Sequence, residues 1–68
     1  MDTIEITTDS IRLGQLLKLA NLVDAGSDAK VLLSQGRVTV NDEVETRRGR
    51  QLVRGDVVRL GHTGVQVA

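Results

Sequence analysis

The segment 47–50, with the sequence Arg-Arg-Gly-Arg, is the part of this chain whose residue types are best suited to bind a ligand. Guanidinium groups form paired hydrogen bonds with phosphate oxygens, a geometry that arginine provides and lysine does not. The glycine allows the backbone to lie close to a bound group. The segment therefore predicts an anion-binding loop, the alternative being a solvated connection whose charges only keep the protein soluble.

The charges of the chain are segregated, although they balance overall. Nine Lys and Arg residues face nine Asp and Glu residues, so the formal net charge is zero. Residues 1–11 hold three acids and no base, residues 12–36 have a net charge of +1, and residues 37–60 have a net charge of +2. A neutral protein with this distribution can still present a basic face to a partner.

Residues for enzymatic chemistry are sparse in this sequence. His62 is the only histidine, lies near two glycines and has no fixed partner, so we expect a surface residue. The carboxylates are scattered in turns or beside arginines and form no evident acid/base pair or metal site. There is no cysteine for a thiolate site and no glycine motif that cradles phosphates. We expect a non-enzymatic protein without metal or cofactor.

The chain contains no Phe, Tyr or Trp. Proteins that bind single-stranded RNA usually stack its bases on aromatic rings. If this chain binds RNA, we expect contacts with phosphates and 2′-hydroxyls of a duplex, hairpin or junction. Arginine can also stack on a base, so single strands are disfavoured without being excluded.

Apolar residues at helical spacing predict two short helices, over residues 14–22 and 27–35. Gly14 is expected at or near the N-cap of the first helix, because glycine in mid-helix costs up to about 1 kcal/mol. Ser27 is expected to cap the second helix, and Gly36 to close it in the left-handed conformation.

Alternating apolar and polar residues predict strands in the segments 3–8, 38–40, 43–46, 57–60 and 65–67. A two-residue turn at Asn41-Asp42 would place Glu45 opposite Val38. Val44 would then face away from the apolar side of the hairpin, and Asp42 is a poorer left-handed residue than glycine. We therefore expect a bulge or a longer loop to distort this hairpin.

One domain covering residues 1–68 is expected, with an aliphatic core. The chain has no apolar run long enough to span a membrane and no signal-peptide pattern at its N-terminus. We expect a cytoplasmic monomer. The predicted core residues are Ile4, Ile6, Leu13, Leu16, Leu17, Ala20, Leu32, Leu33, Val38, Val40, Leu52 and Val58.

Three segments carry a resemblance to a known family: Ala29-Lys30, Gly36-Arg37-Val38-Thr39-Val40-Asn41 and Gly55-Asp56-Val57-Val58. They resemble the RNA-binding domain named after the fourth protein of the small ribosomal subunit, which contains the alphaL motif. The run Val44-Glu45-Thr46-Arg47-Arg48-Gly49-Arg50 is similar to the small stand-alone bacterial proteins of that family. The resemblance covers residues 12–60.

The resemblance implies an α+β fold in which two short helices pack on a small, mainly antiparallel sheet. In the family, basic residues at the start of the first helix, in the second helix and beside the hairpin line a common surface. Arg12, Lys30 and Arg37 match these positions, while Lys18 either joins them or occupies the solvent face of the first helix. The predicted RNA-binding residues are Arg12, Lys18, Lys30, Arg37, Arg47, Arg48 and Arg50.

The sequence departs from the family pattern at two places. Gly14 replaces an aspartate that typically follows the Arg-Leu pair, and Ala25-Gly26 replaces a Ser-Arg pair before the second helix. The missing arginine gives Arg47, Arg48 and Arg50 a larger share of the expected binding. We therefore expect modest affinity.

Three functions remain open from the sequence. The first is a module that binds structured RNA, for which ribosomal RNA or a ribosome-associated role is one candidate. The second is a protein-interaction adaptor whose arginines contact an acidic partner. The third is a DNA-binding helix-turn-helix protein, for which the second helix offers few base-reading side chains. Those candidates are Asp28, Lys30, Ser34 and Gln35.

Overall fold

The structure, a computed structural model, describes residues 2–23 and 26–68. It contains two helices, α1 (Leu13–Leu19) and α2 (Gly26–Ser34). The strands are β1 (Asp2–Ile4), β2 (Ile11–Arg12), β3 (Val38–Val40), β4 (Glu43–Val44), β5 (Gln51–Leu52), β6 (Val57–Leu60) and β7 (Thr63–Val67).

Five strands form one mixed sheet in the order β1-β7-β6-β3-β4. β1 pairs in parallel with β7, and every other pair in this sheet is antiparallel. The predicted α+β fold, with two helices and a mainly antiparallel sheet, is confirmed. A second, two-stranded sheet pairs β2 with β5 and was not predicted. Strands of two residues are too short to show an alternating pattern.

Helix α1 ends three residues before the predicted boundary at residue 22. Asn21 adopts a left-handed φ of 59°. Its N–H donates to the Lys18 carbonyl at 3.0 Å, and the Leu22 N–H donates to the Leu17 carbonyl at 2.9 Å. These two bonds form a Schellman motif, which asparagine can supply in place of glycine.

Helix α2 is closed by the residue that the sequence predicts. Gly36 has a φ of 70°, its N–H donates to the Leu33 carbonyl, and the Arg37 N–H donates to the Leu32 carbonyl. The start of α2 differs, because Ser27 lies inside the helix and not at its N-cap. The Ser27 side chain is outside the part of the chain that the structure describes.

The hairpin between β3 and β4 is regular, so the expected bulge or longer loop was wrong. Asn41 and Asp42 both have positive φ, 51° and 70°, as a two-residue turn of this kind requires. The Asn41 side chain supports the turn by accepting a hydrogen bond from the Val57 N–H at 3.0 Å. Val44 is left 61% exposed, and the register places Glu45 beside Val38.

The core is one aliphatic cluster built from both helices and from strands β3, β5, β6 and β7. Most predicted core residues are buried, while Ile4, Ala20 and Leu32 are half-buried at its margin. The buried core also includes residues outside the predicted set, namely Val23, Ala29, Val65 and Val67. In the described residues, no helix has the length and apolar character that a membrane span needs.

Leu17→Ala should lower the free energy of unfolding by about 2–5 kcal/mol, because Leu17 is fully buried on α1 and its truncation leaves a cavity. Leu19→Ala is the matched control, since Leu19 lies on the same helix with 55% of its surface exposed. Its effect should stay within about 0.5 kcal/mol. Urea unfolding followed by circular dichroism measures both, and equal effects would contradict the placement of the core.

Candidate nucleic-acid interface

The predicted arginine segment lies in a loop that joins β4 to β5 and is held against the start of α1. We call residues 45–50 the arginine loop. The Leu13 N–H donates to the Arg50 carbonyl at 2.8 Å, and the Gly14 N–H donates to the Arg48 carbonyl at 3.0 Å. The first amides of a helix have no partner within the helix. Here the loop carbonyls fill that role, so the loop and the helix start form one unit.

The pairing of β2 with β5 holds the backbone just before α1 next to the end of the arginine loop. Arg12 of β2 pairs with Gln51 of β5, and the chain then enters α1 at Leu13. Arg12 is also the N-cap residue of α1, so Gly14 is the second residue of the helix and does not occupy the cap. The Arg12 N–H donates to the side-chain oxygen of Gln15 at 3.3 Å. The backbone that follows the loop and the start of α1 are therefore both held by hydrogen bonds.

A buried carboxylate holds the arginine loop from inside. The Glu45 side chain is only 8% exposed and lies on the same side of the hairpin as Val38. Its oxygens accept hydrogen bonds from the backbone N–H groups of Thr46 and Arg47 and from the guanidinium groups of Arg47 and Arg50. The donor–acceptor distances lie between 3.0 and 3.3 Å. Glu45 therefore fixes both ends of the loop.

The hydrogen bonds from Arg47, helped by Arg50, lower the pKa of Glu45 from 4.5 to about 2, although burial alone would raise it. The same contact raises the pKa of Arg47. Because the folded pKa of Glu45 lies below its ordinary value, its ionisation stabilises the folded state above pH 4.5. That contribution is lost as the pH falls from 4.5 towards 2.

Arg48 packs against α1 at a position where only glycine leaves room. A Cβ placed on Gly14 would lie 2.5 Å from the Arg48 Cγ atom and 3.1 Å from its Cδ atom. Gly14 is buried by this contact. An aspartate at position 14, which the family pattern would supply, could not coexist with this placement of Arg48. The departure from the pattern therefore has a structural reason.

Three cationic residues line one surface depression beside this contact. Arg12, Lys18 and Arg48 are all exposed. The ion pairs found within residues 2–23 and 26–68 involve other arginines and leave these three cations without an acidic partner. We call this depression the basic cleft. It is lined by Arg12, Gly14, Gln15, Lys18, Arg48 and Gly49.

The other predicted site residues lie outside the basic cleft. Arg47 and Arg50 adjoin it through the arginine loop but are ion-paired with Glu45. Arg37 lines a different depression, together with Leu32, Leu60 and Gly61. Lys30 is exposed on α2. The structure thus brings together three of the seven predicted residues, Arg12, Lys18 and Arg48.

Two further arginines, which the sequence left outside the site, have separate contacts. The Arg54 guanidinium donates to the Ile6 carbonyl at 2.7 Å, and the Arg59 Nε atom lies 3.9 Å from the Asp42 Oδ1 atom.

Across the described residues, no group of His, Asp and Glu side chains is arranged to hold a metal ion.

Glu45 is the residue that sequence reasoning missed. The signal was available, because the two-residue turn at Asn41-Asp42 places Glu45 on the apolar side beside Val38. Because the same register turns the apolar Val44 outward, the sequence favours a distorted hairpin instead. A buried carboxylate without partners is costly. The nearby Arg47 and Arg50 remove that cost by pairing with it.

The Glu45 carboxyl should titrate with a pKa of about 2 when its carboxyl carbon is followed by NMR. The free energy of unfolding of the wild type should fall as the pH decreases from 4.5 towards 2, because the protonated carboxyl loses its ion pairs. Glu45→Gln should show a shallower decrease over that range. A midpoint at 4.5, or parallel curves for the two proteins, would contradict the assigned contacts.

Comparisons with known proteins agree with the fold. The S4 domain family matches residues 4–68. RlbA of Bacillus subtilis, named a probable ribosome maturation protein, is 53% identical over 57 residues, which cover 84% of this chain and 80% of RlbA. YbcJ of Escherichia coli is 37% identical over 57 residues, which cover 84% of this chain and 81% of YbcJ.

The solution structure of YbcJ, described as revealing an alphaL motif involved in RNA binding, superposes on this fold with a TM-score of 0.76. The aligned residues are 33% identical and cover 100% of this chain and 87% of YbcJ. The family match spans nearly the whole chain, and the shared fold includes both helices and the sheet. The protein belongs to the S4 domain family and has the alphaL fold.

Proposed function

We propose that this protein binds structured RNA through the basic cleft. The observation that carries the proposal is that Arg12, Lys18 and Arg48 line one depression and have no acidic partner in the described part of the chain. Cations in such a cleft raise the local potential and attract phosphates, although the whole protein has a formal net charge of zero. Family membership and the alphaL fold of YbcJ support RNA as the ligand.

The cleft is suited to phosphates of a folded backbone. Its arginines come from the N-cap of α1 and from the arginine loop, and the two elements are joined by backbone hydrogen bonds. A preorganised backbone reduces the conformational freedom that these cations lose when they bind. Because the chain has no Phe, Tyr or Trp for base stacking, we expect most of the affinity to come from phosphates, 2′-hydroxyls and shape. These features favour a duplex, hairpin or junction.

Ribosomal RNA is the partner that we propose, because the similar protein RlbA is named for ribosome maturation. The protein would then act in the cytoplasm as a monomer, on ribosomal particles or their RNA. A helix-turn-helix mode on DNA would use α2 as the reading helix. The basic cleft lies instead on α1 and the arginine loop, which favours RNA recognition over that mode.

A gel-shift titration tests the proposal with a paired RNA hairpin and a single-stranded oligouridine of the same length. The hairpin should bind more tightly, because its phosphates and 2′-hydroxyls are held in a fixed geometry. Arg48→Ala should weaken hairpin binding and lower the slope of log affinity against log salt by about 0.7–0.9, the contribution of one phosphate contact.

Arg54→Ala and Arg59→Ala are the controls, because each removes the same charge outside the basic cleft. Their effect on affinity should be smaller than that of Arg48→Ala. Equal effects would show that only overall charge matters. Equal binding of both RNAs would contradict the preference for structured RNA, and tight binding of an acidic protein without RNA would favour the adaptor function.

A further inference from the structure

We infer that Glu45 is the positioning residue of the basic cleft: it holds Arg47 and Arg50, fixes the arginine loop on α1 and thereby sets where Arg48 lies. Arg50 accordingly makes no phosphate contact of its own. This inference rests on the proposed function. It assigns Arg48 to RNA contact and Arg50 to holding the loop in place, while Arg47 also pairs with Glu45 but keeps 76% of its side chain exposed.

The hydrogen bonds of Glu45 distinguish Arg47 and Arg50, which it binds, from Arg48, which it does not. The carboxylate receives the Nε and Nη2 groups of Arg47 at 3.2 and 3.3 Å and the Nη1 group of Arg50 at 3.0 Å. The Arg50 side chain is only 31% exposed, and its charge is matched by Glu45. Arg48 is exposed and lines the cleft with Arg12 and Lys18.

A short series of direct contacts links Glu45 to the cleft. Glu45 binds the Arg50 guanidinium, and the Arg50 carbonyl accepts the Leu13 N–H at 2.8 Å. The next amide of α1, that of Gly14, donates to the Arg48 carbonyl at 3.0 Å. The Arg48 side chain then lies over Gly14. Loss of the first contact removes a side-chain anchor of the loop, so we expect the segment that carries Arg48 to become more mobile.

Simple electrostatics makes the opposite prediction for the removal of Glu45. Neutralising an acid adds one unit of positive charge and releases two arginines, so a charge-only account expects tighter RNA binding. If Glu45 positions the loop, its neutralisation must weaken binding in spite of the added charge. The sign of the effect on affinity separates the two accounts.

Glu45→Gln is compared with Glu43→Gln on the same RNA hairpin at one salt concentration. The two substitutions make the same change of side chain and charge on neighbouring positions of one hairpin. Glu43 is exposed, and in the described part of the chain the carboxylate that binds the arginine loop is that of Glu45. Glu45→Gln should lose affinity, while Glu43→Gln should bind as tightly as the wild type or slightly more tightly. Affinity of Glu45→Gln at or above that of Glu43→Gln would overturn the inference.

Arg50→Ala gives a second, independent result, which decides the inference if circular dichroism shows that Glu45→Gln fails to fold. It should weaken hairpin binding and lower the salt slope by no more than Arg48→Ala does, because it acts through the position of Arg48. In an Arg48→Ala background the same substitution should change the slope no more than Arg59→Ala does, an equal loss of charge outside the site. A further decrease of about 0.7–0.9 in that background would mean that Arg50 itself contacts a phosphate. That decrease, or unchanged affinity of the single Arg50→Ala variant, would overturn the inference.

Arg48→Ala separates failure of this inference from failure of the proposed function. If wild-type protein does not bind the hairpin, or if Arg48→Ala binds it as tightly as the wild type, the proposed site is wrong and the inference fails with it. If Arg48→Ala weakens binding while Glu45→Gln and Arg50→Ala do not, the site stands and only the positioning role of Glu45 is wrong.

Discussion

The ion pairs of the buried Glu45 carboxylate are the interaction on which the arrangement of the site depends. A carboxylate on the apolar side of a hairpin is unfavourable unless its charge and lone pairs are satisfied. Arg47, Arg50 and two backbone N–H groups satisfy it here. A loop with three arginines within four residues would otherwise be held apart by repulsion between like charges. The single negative charge of Glu45 is shared between Arg47 and Arg50, while Arg48 has no acidic partner among the described residues.

The backbone of α1 adds the second constraint on the loop. The helix has only seven residues, and its first two amides bind loop carbonyls. Those two amides are consequently not free to bind an anion, so the proposed phosphate contacts rely on the side chains of the cleft. Gly14 allows the loop to approach this closely, because any side chain at that position would displace Arg48. The helix, the glycine and the carboxylate together determine where the exposed cations of the cleft lie.

Much of this fold could be predicted from the sequence, because helix and strand periodicity report directly which side of an element is buried. The two helices, the strands β3, β6 and β7 and most of the aliphatic core follow from spacing alone. Asn21 ended α1 early through a backbone conformation that periodicity does not show. The pairing of β2 with β5 depends on contacts between segments distant in sequence, each of only two residues.

The site was predicted in part. Arg12, Lys18 and Arg48 were named from the sequence and line one cleft, although their contact with RNA remains a prediction. The hairpin was misjudged for a physical reason: the outward-facing Val44 and the left-handed Asp42 were counted against the regular two-residue turn. Patterns of apolar residues cannot show that a buried charge has partners, since those partners lie in the loop that follows. The arginines of the loop indicated a ligand-binding site, but Arg47 and Arg50 also stabilise the fold by pairing with Glu45.

Amide hydrogen exchange measured by NMR tests the central claim, that Glu45 holds the arginine loop on α1, without any RNA. In the wild type, the N–H groups of Leu13 and Gly14 should exchange slowly, because the loop carbonyls accept their hydrogen bonds. In Glu45→Gln these two amides should lose protection, while the buried Val67, whose N–H binds the Asp56 carbonyl at 2.9 Å, keeps its own. Unchanged protection of Leu13 and Gly14 in a folded Glu45→Gln protein would contradict the claim.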